Sequence, residues 1–274
     1  MSKSILITGC SSGIGKCAAK RLSEKGWHVF ATARTRQDLD MLASELDVTA
    51  LHLDYTDPAS ITETANTVLE QTNGKLFALF NNGAYGQPGA VEDIPTQVLR
   101  TQFETNFFGW HDLTRQIIPA MRANNEGRII QCSSVLGFVS ATYRGAYCAS
   151  KFALEALSDA MRLELSDSNI YVSIIQPGPI RTNFVENALK AYTQHIDIDR
   201  SVHSDSYKAR IKAMEEGGKQ SFKLEPDVVV SKLEHALSSR LPKRRYYVTT
   251  PTYAMAYAKR FLPTALIDKI MLNN

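Results

Sequence analysis

Short apolar segments alternate with helical patterns along most of the chain. The apolar segments are continuously hydrophobic, and glycine, proline or polar residues close each of them. Between them, apolar residues recur at a helical spacing, as at Ile14, Ala18, Ala19 and Leu22. Continuous apolar strands that alternate with helices are typical of a parallel sheet covered by helices on both faces. The pattern therefore predicts an α/β fold with a doubly wound parallel sheet of about seven strands.

The strands are predicted at KSILITG, WHVFATA, VTALHLD, LFALFNN, GRIIQCSS, IYVSIIQPG and RYYVT. Helices are predicted over residues 14–25, 38–46, 96–122 and 146–166, and also from Asp57 and from Pro226 onward. Asp57-Pro58 is a good helix start, because a capping acid precedes a proline at the first helical position.

The helical pattern weakens after Pro179. Residues 183–224 are more polar, contain Gly217-Gly218 and have only scattered apolar positions. Such a long segment inside a compact domain is usually a functional lid or a disordered linker, and we predict a substrate lid. Residues 250–274 carry an amphipathic pattern, for which core packing is favoured over covering the pocket, extending an interface or touching a membrane. Residues 1–274 are predicted to form a single domain.

Composition and charge narrow the classes of function. The 274 residues carry a net charge of +3, with 44% hydrophobic and 22% charged residues, which is globular composition. The densest basic run, Lys243-Arg244-Arg245, is short and predicts a solvated loop, so no nucleic-acid partner is expected. No signal peptide or apolar window of ~18 residues is present, which predicts a cytoplasmic protein without an integral membrane segment. The four cysteines lack metal-ligand spacing, and no metal is predicted.

A glycine-rich turn follows the first predicted strand. TGCSSGIG, from Thr8 to Gly15, ends this strand and opens a helix. A phosphate needs backbone N–H groups, little side-chain bulk and the favourable dipole of a helix N-terminus. The spacing G-x-x-x-G-x-G differs from the common G-x-G-x-x-G, and tight packing alone is an alternative explanation. The position after the first strand of an alternating α/β pattern favours a dinucleotide site.

The end of the second strand bears on the choice of dinucleotide. Sites that favour NAD carry an acid there for the ribose 2′-hydroxyl, whereas an arginine accommodates the 2′-phosphate of NADP. The sequence FATARTRQD has no acid at the strand end, and Arg34 and Arg36 follow it. We therefore predict NADP(H) as the cofactor, with NAD(H) second.

A tyrosine and a lysine stand four residues apart in GAYCASK. At this spacing Tyr147 and Lys151 share one face of a helix. The pair is either part of an ordinary helix surface, or the tyrosine is a proton donor whose pKa the lysine changes. Ser134 lies at the end of the fifth strand, where ligands of a doubly wound sheet bind, and Asn106 lies on the preceding long helix. An unperturbed tyrosine has a pKa near ~10, and a neighbouring ammonium lowers it.

Five motifs occur in the order TGCSSGIG, NNGA, NFFG, SSV with YCASK, and PGPIRT. Their order and spacing resemble the short-chain dehydrogenase/reductase family, over roughly residues 3–182. Within it the chain is similar to bacterial NADP-dependent aldehyde and ketone reductases and to hydroxysteroid and retinol dehydrogenases. The resemblance implies a Rossmann-type fold and a homodimer or homotetramer formed through the helices at 96–122 and 146–166.

The resemblance also implies roles for individual residues. Tyr147 matches the general acid/base. Lys151 matches the residue that lowers the pKa of this tyrosine and holds the nicotinamide ribose. Ser134 matches the hydroxyl that polarises the substrate carbonyl, and Asn106 matches the residue that supports a water-linked proton relay. The cofactor-binding positions also include Gly9, Ser11, Ser12, Gly13, Ile14, Gly15, Arg34, Asp54, Asn82, Pro177, Gly178, Ile180 and Thr182. The family usually has Asn-Ala-Gly after strand four, but here Gly83-Ala84 follows Asn82. We expect a small backbone adjustment there, with cofactor binding retained.

The expected activity is NADP(H)-dependent transfer of hydride between nicotinamide and a carbonyl or alcohol. The lid (183–224), Tyr85, Tyr143 and Phe184 are expected to line the substrate pocket together with Ser134 and Tyr147. Apolar and aromatic walls suit a small lipophilic aldehyde or ketone, or a hydroxysteroid- or retinol-like alcohol. The alternative is an NADP-binding sensor or scaffold without turnover, against which the complete set of catalytic side chains argues.

Overall fold

A parallel sheet of seven strands forms the centre of the protein. The computed structural model describes residues 3–216 and 222–272, so Gly217-Gly218 lie outside the described residues. The strands are β1 (Ser4–Ile7), β2 (His28–Ala33), β3 (Thr49–His52), β4 (Ala78–Asn81), β5 (Gly127–Cys132), β6 (Ile170–Gln176) and β7 (Arg245–Tyr247). They lie in the order β3-β2-β1-β4-β5-β6-β7, and every pair is parallel. The predicted doubly wound α/β sheet is confirmed.

Helices cover both faces of the sheet. They are α1 (Gly13–Ser23), α2 (Arg36–Glu45), α3 (Pro58–Gln71), α4 (Thr96–Phe103), α5 (Gly109–Asn124), α6 (Gly145–Glu164), α7 (Phe184–His195), α8 (Ser204–Glu215), α9 (Asp227–Ser238), α10 (Thr250–Phe261) and α11 (Thr264–Leu272). As predicted, Asp57 caps α3, and its carboxylate accepts a hydrogen bond from the N–H of Ala59 at 3.0 Å. The predicted long helix from residue 96 is interrupted between α4 and α5 by a π-helical turn, Glu104–Phe108.

The core follows the continuously apolar strands. Ile5, Leu6, Ile7 and Phe80 are fully buried, because helices shield the central strands on both sides. No helix within residues 3–216 or 222–272 has both the length and the apolar character needed to cross a bilayer.

The lid contains two helices that the sequence pattern did not predict. α8 is mostly polar, but Tyr207 is fully buried and packs with Tyr192, Ile196 and Ala90 in a small second core. At the end of the lid, the N–H of Leu224 donates to the carbonyl of Pro179 at 3.2 Å. The carbonyl of Leu224 accepts from the N–H of Arg181 at 2.9 Å, so both ends of the lid meet beside β6.

The tail differs from its predicted packing. α10 buries only Thr252, and α11 buries only Ile267. Phe261 and Leu272 are 74% and 71% exposed. The expectation that the amphipathic tail packs into the core was therefore wrong, because its aromatic and aliphatic stripe points mainly to solvent.

Candidate active site

The turn between β1 and α1 has no room for side chains at its glycines. Gly9 and Gly13 have φ values of +68° and +55°, a left-handed conformation that glycine adopts without strain. A Cβ on Gly15 would lie 2.2 Å from the carbonyl oxygen of Gly9. Ser12 precedes α1 without a side-chain capping bond, so the first N–H groups of the helix stay available to an anion. With half-buried Ser11 and Ile14 beside them, these groups fit the pyrophosphate of a dinucleotide.

The loop after β4 rests directly on this turn. The Asn82 amide donates to the carbonyls of Thr8 and Gly9 at 3.0 and 3.3 Å. A Cβ on Gly83 would lie 3.2 Å from the nitrogen of Gly9, which is a tight contact. The glycine at position 83 therefore lets the two loops approach closely, while Ala84 packs against the core.

The predicted adenosine-binding residues lie at the carboxyl ends of β2 and β3. The Asp54 carboxylate accepts from the N–H and the hydroxyl of Thr56, both at 2.8 Å, which fixes its orientation. Arg34 is exposed directly after β2, whereas Arg36 pairs with Asp40 at 2.9 Å. Burial raises the pKa of Tyr85, and the charge of Arg34 acts in the opposite direction.

Lys151 is buried one helical turn after Tyr147. Its Nζ donates to the carbonyl of Cys132 at 2.8 Å and lies 4.1 Å from the centroid of the Trp110 ring. The distance from Nζ to the centroid of the Tyr147 ring is 5.8 Å. Burial lowers the pKa of the Lys151 amine to about 8, although the Glu155 charge acts in the opposite direction. The structure thus holds an ammonium with a reduced pKa beside the tyrosine.

Tyr147 and Ser134 are the two hydroxyls that the sequence predicts to act on the substrate. Ser134 caps a short 3-10 turn after β5, where its Oγ accepts from the N–H of Leu136 at 3.1 Å. Burial raises the pKa of Tyr147 above its usual range, and a hydrogen bond with Ser134 partly offsets this effect. The neighbouring lysine was predicted to lower the pKa of Tyr147. In the protein without nucleotide the pKa of Tyr147 is raised instead, because desolvation of the phenol has the largest effect.

Asn106 occupies the π-helical turn between α4 and α5. Its amide donates to the carbonyl of Tyr85 at 2.8 Å, and its oxygen accepts from the Tyr85 N–H at 3.2 Å. A third contact, 3.4 Å long, reaches the hydroxyl of Ser150 on α6. The structure brings Asn106 to Tyr85 and Ser150 rather than to Lys151, so it joins three segments around the site.

The segment after β6 lies against the glycine turn. A Cβ on Gly13 would meet the methyl group of Thr182 at 2.9 Å. The carbonyl of Pro177 accepts from the N–H of Val135 at 2.8 Å, next to Ser134. Gly178 packs against Thr249, and Ile180 bridges to Leu224 at the end of the lid.

The predicted substrate residues take different positions. The Phe184 ring lies edge-on to Tyr147, with centroids 5.3 Å apart. The Tyr85 hydroxyl is buried and has no hydrogen-bond partner among the described residues. Tyr143 instead packs against His203 and Tyr207, with centroids 5.4 Å away in both cases. Phe184 therefore contacts Tyr147 directly, while Tyr143 packs against two residues of the lid.

Two residues of the site were missed by the sequence analysis. Trp110, fully buried on α5, supplies the ring face for the Lys151 ammonium. Trp110 follows Asn106 by four residues, a spacing that places both side chains on one face of a helix, and this could have identified it from the sequence. Arg144 directly precedes α6, and its charge acts on the hydroxyl of Tyr147. An arginine in an otherwise small-residue stretch, RGAYCASK, could have drawn attention to it.

The order of the strands shows where a ligand binds. The chain runs outward from β1 to β2 on one side and to β4 on the other, and the glycine turn lies at this switch point. In doubly wound sheets such a turn takes a dinucleotide. With Tyr147, Lys151 and Ser134 converging nearby, fold and site define a nicotinamide-dependent oxidoreductase. The family model for short chain dehydrogenases matches residues 3–193, and the chain belongs to this family.

The similarity to several known proteins covers nearly the whole chain. The "uncharacterized oxidoreductase YbbO" of Escherichia coli (strain K12) is 42% identical over 99% of this chain and 94% of its own length. Human retinol dehydrogenase 16 is 30% identical over 98% of this chain and 87% of its own length. A crystal structure of a short-chain dehydrogenase from Streptomyces avermitilis superposes with a TM-score of 0.79 at 28% identity, covering 100% of this chain and 94% of that one.

Proposed function

We propose that this protein is an NADP(H)-dependent oxidoreductase that reduces a small lipophilic aldehyde or ketone, or oxidises the corresponding alcohol, with Tyr147 as general acid/base. The observation that carries the proposal is the buried ammonium of Lys151, which lies 5.8 Å from the centroid of the Tyr147 ring, with Ser134 acting on the hydroxyl of this tyrosine. When bound, the nicotinamide ring supplies or accepts the hydride.

The side chains of the protein would handle the oxygen and its proton. Ser134 and Tyr147 donate hydrogen bonds to the substrate carbonyl oxygen, where negative charge develops during reduction. Tyr147 then transfers its proton to this oxygen, and the nearby Lys151 ammonium stabilises the tyrosinate that remains. Asn106 acts as a positioning residue through Tyr85 and Ser150.

The preference for NADP(H) over NAD(H) is supported by the charges at the end of β2. Arg34 is exposed there, and no acid stands between Ala33 and Arg36. A guanidinium pairs with a 2′-phosphate, whereas an acid would repel it. Arg36 is less suited because Asp40 already binds it.

A lipophilic substrate is supported by the wall next to Tyr147. The edge of the Phe184 ring faces this tyrosine, and a Cβ on Gly86 would lie 2.7 Å from Phe184 Cζ, so the wall is closely packed. The similarity to retinol dehydrogenase 16, whose name gives a lipophilic alcohol as substrate, points in the same direction.

The test is NADPH oxidation with aldehydes and ketones of graded chain length, run beside NADH. We expect turnover that increases with chain length and falls by at least ~10³-fold in Tyr147→Phe, with NADPH affinity unchanged within about threefold. Tyr253→Phe, a tyrosine on the exposed side of α10, is the matched control and should keep full activity. Tight NADPH binding without turnover of any carbonyl would instead support the alternative of a sensor or scaffold.

We also propose a homodimer or homotetramer built through α4 to α6. These helices expose large apolar side chains to solvent, namely Leu99, Phe108, Phe152 and Leu163. The helix α4 and the π-helical turn both lie against α6, and large apolar side chains exposed on neighbouring elements favour an interface. Light scattering should give a multiple of the chain mass, and Phe108→Glu should shift it toward the monomer.

A further inference from the structure

Arg144 brings an unpaired charge to the edge of the active site. It directly precedes α6, three residues before Tyr147, and its side chain is half-buried. Its backbone is fixed, because its N–H donates to Ala141, its carbonyl accepts from Cys148 and it bridges to Gly89. Within residues 3–216 and 222–272, no hydrogen bond or ion pair reaches the guanidinium. The guanidinium of this half-buried side chain is therefore available to an anionic ligand.

Among the described residues, no carboxylate is a main contributor to the electrostatics of Arg144. Burial has the largest effect and lowers the pKa of its guanidinium, followed by the positive charge of Arg210. The remaining effects come from Tyr192, Tyr147 and Cys148. Arg210 is already engaged, since it donates to the Thr142 hydroxyl at 3.0 Å and stacks 4.5 Å from the Tyr143 ring centroid. Arg144 is therefore the cation left for a ligand.

A second unpartnered group lies near the same place. Tyr192 on α7 is 1% exposed, and its buried hydroxyl has no hydrogen-bond partner among the described residues. The Tyr192 ring packs on Tyr207 with centroids 5.2 Å apart, and Tyr207 packs on Tyr143, the residue before Arg144, at 5.4 Å. The charge of Arg144 also acts against the burial that raises the pKa of Tyr192. Buried hydroxyls normally find a partner, so an orphaned one beside an unpaired guanidinium indicates a missing acceptor.

We propose that Arg144 and the Tyr192 hydroxyl form a subsite for an anionic oxygen group of the substrate, a carboxylate, sulfonate or phosphate. The proposal rests on the proposed function for the position of the reacting carbonyl at Tyr147. Arg144 directly precedes α6 and stands three residues before Tyr147, so the anionic group and the carbonyl are both placed at the first turn of this helix. The substrate is then an apolar chain with an oxyanion close to its carbonyl rather than a wholly neutral lipid.

Direct binding tests this subsite without requiring turnover. Calorimetric titrations in the presence of NADPH, with which none of the four compounds can react, would compare octanoate, octyl sulfonate, octyl phosphate and octan-1-ol, which share one chain. We expect at least one of the anions to bind about 10-fold or more tightly than the alcohol. Arg144→Gln should remove about 10- to 100-fold of the affinity for that anion and change octanol binding by less than about threefold. The three anions distinguish the kinds of oxygen group.

Matched variants separate a specific subsite from a general effect. Arg200→Gln removes the same charge from an exposed position on the lid and should leave every affinity unchanged. Arg144→Lys should recover part of the anion affinity, and Tyr192→Phe should lose about 3- to 10-fold. Affinity for NADP⁺ shows that each variant keeps the fold.

Two results would overturn the proposal. One is equal binding of all the anions and the alcohol by the unaltered protein. The other is an equal loss of both ligand types in Arg144→Gln. If carbonyls are turned over but the anions gain nothing, only the subsite fails. If the anions bind through Arg144 but no carbonyl is turned over, only the proposed function fails.

Discussion

Replacement of Lys151 by methionine should change the way stability depends on pH. The amine is 1% exposed, and burial lowers its pKa from 10.5 to about 8. Between these two values the unfolded chain holds the proton and the folded chain does not. The free energy of unfolding of the unaltered protein therefore rises with pH through this window. Methionine does not titrate, so the variant lacks this rise.

The size of the effect follows from the difference between the two pKa values. That difference is about 2.5 pH units, and each unit corresponds to about 1.4 kcal/mol. Integrated from pH 7 to pH 10, the linkage amounts to about 2.5 kcal/mol. The lost hydrogen bond to Cys132 and the lost contact with Trp110 are costs that do not depend on pH, so they cancel when pH values are compared.

The assay is urea unfolding at pH 7, 8, 9 and 10 without nucleotide, followed by tryptophan fluorescence. Relative to the unaltered protein, Lys151→Met should lose about 2.5 kcal/mol between the first and the last pH. Lys212→Met, at an exposed lysine on α8, controls for the removal of one positive charge and should show no such trend. Parallel pH profiles for the unaltered protein and Lys151→Met would refute the account of a desolvated ammonium.

Three further changes have defined outcomes. Gly15→Ala places a Cβ 2.2 Å from the Gly9 carbonyl oxygen, so NADPH affinity in a fluorescence titration should fall at least ~10-fold; unchanged affinity would contradict the described turn. Arg34→Glu should raise the KM for NADPH by about 10- to 100-fold without raising that for NADH; equal increases would disprove the role of the arginine. Arg245→Met removes the ion pairs of 3.2 and 2.6 Å to Glu155 and Asp159. The buried Glu155 keeps its hydrogen bond from Gln176 at 2.8 Å but loses its cation, which should cost about 2–4 kcal/mol in urea unfolding; a loss below ~0.5 kcal/mol would show that the cation contributes little to stability.

The sheet and the nucleotide turn could be predicted because their signals are local. Strands buried on both faces need uninterrupted apolar runs, and the run Ile5 to Ile7 matches β1. Gly9 and Gly13 adopt left-handed backbone conformations that favour glycine, so the glycine spacing in the sequence indicates the conformation of the turn directly. The spacing of Tyr147 and Lys151 likewise follows from one helical turn.

The remaining features depend on contacts between distant parts of the chain. The π-helical turn places Asn106 against Tyr85, and nothing in the pattern of residues 96–122 marks its extra residue. Helix α8 is stabilised by Tyr207, whose hydroxyl bonds to Asp93 and the N–H of Ala90, far away in sequence. The raised pKa of Tyr147 comes from burial, which requires the packed structure.

The pairing of Leu224 with Pro179 and Arg181 has an evolutionary consequence. Because backbone hydrogen bonds join the two ends of the lid beside β6, the lid is a loop whose ends lie next to each other. The entropy of closing such a loop grows only slowly with its length, so insertions and deletions within it cost little stability. Exchange of this segment between family members at the two anchor points should therefore leave the nucleotide half of the protein folded, and it tests the proposed role of the lid in the choice of substrate.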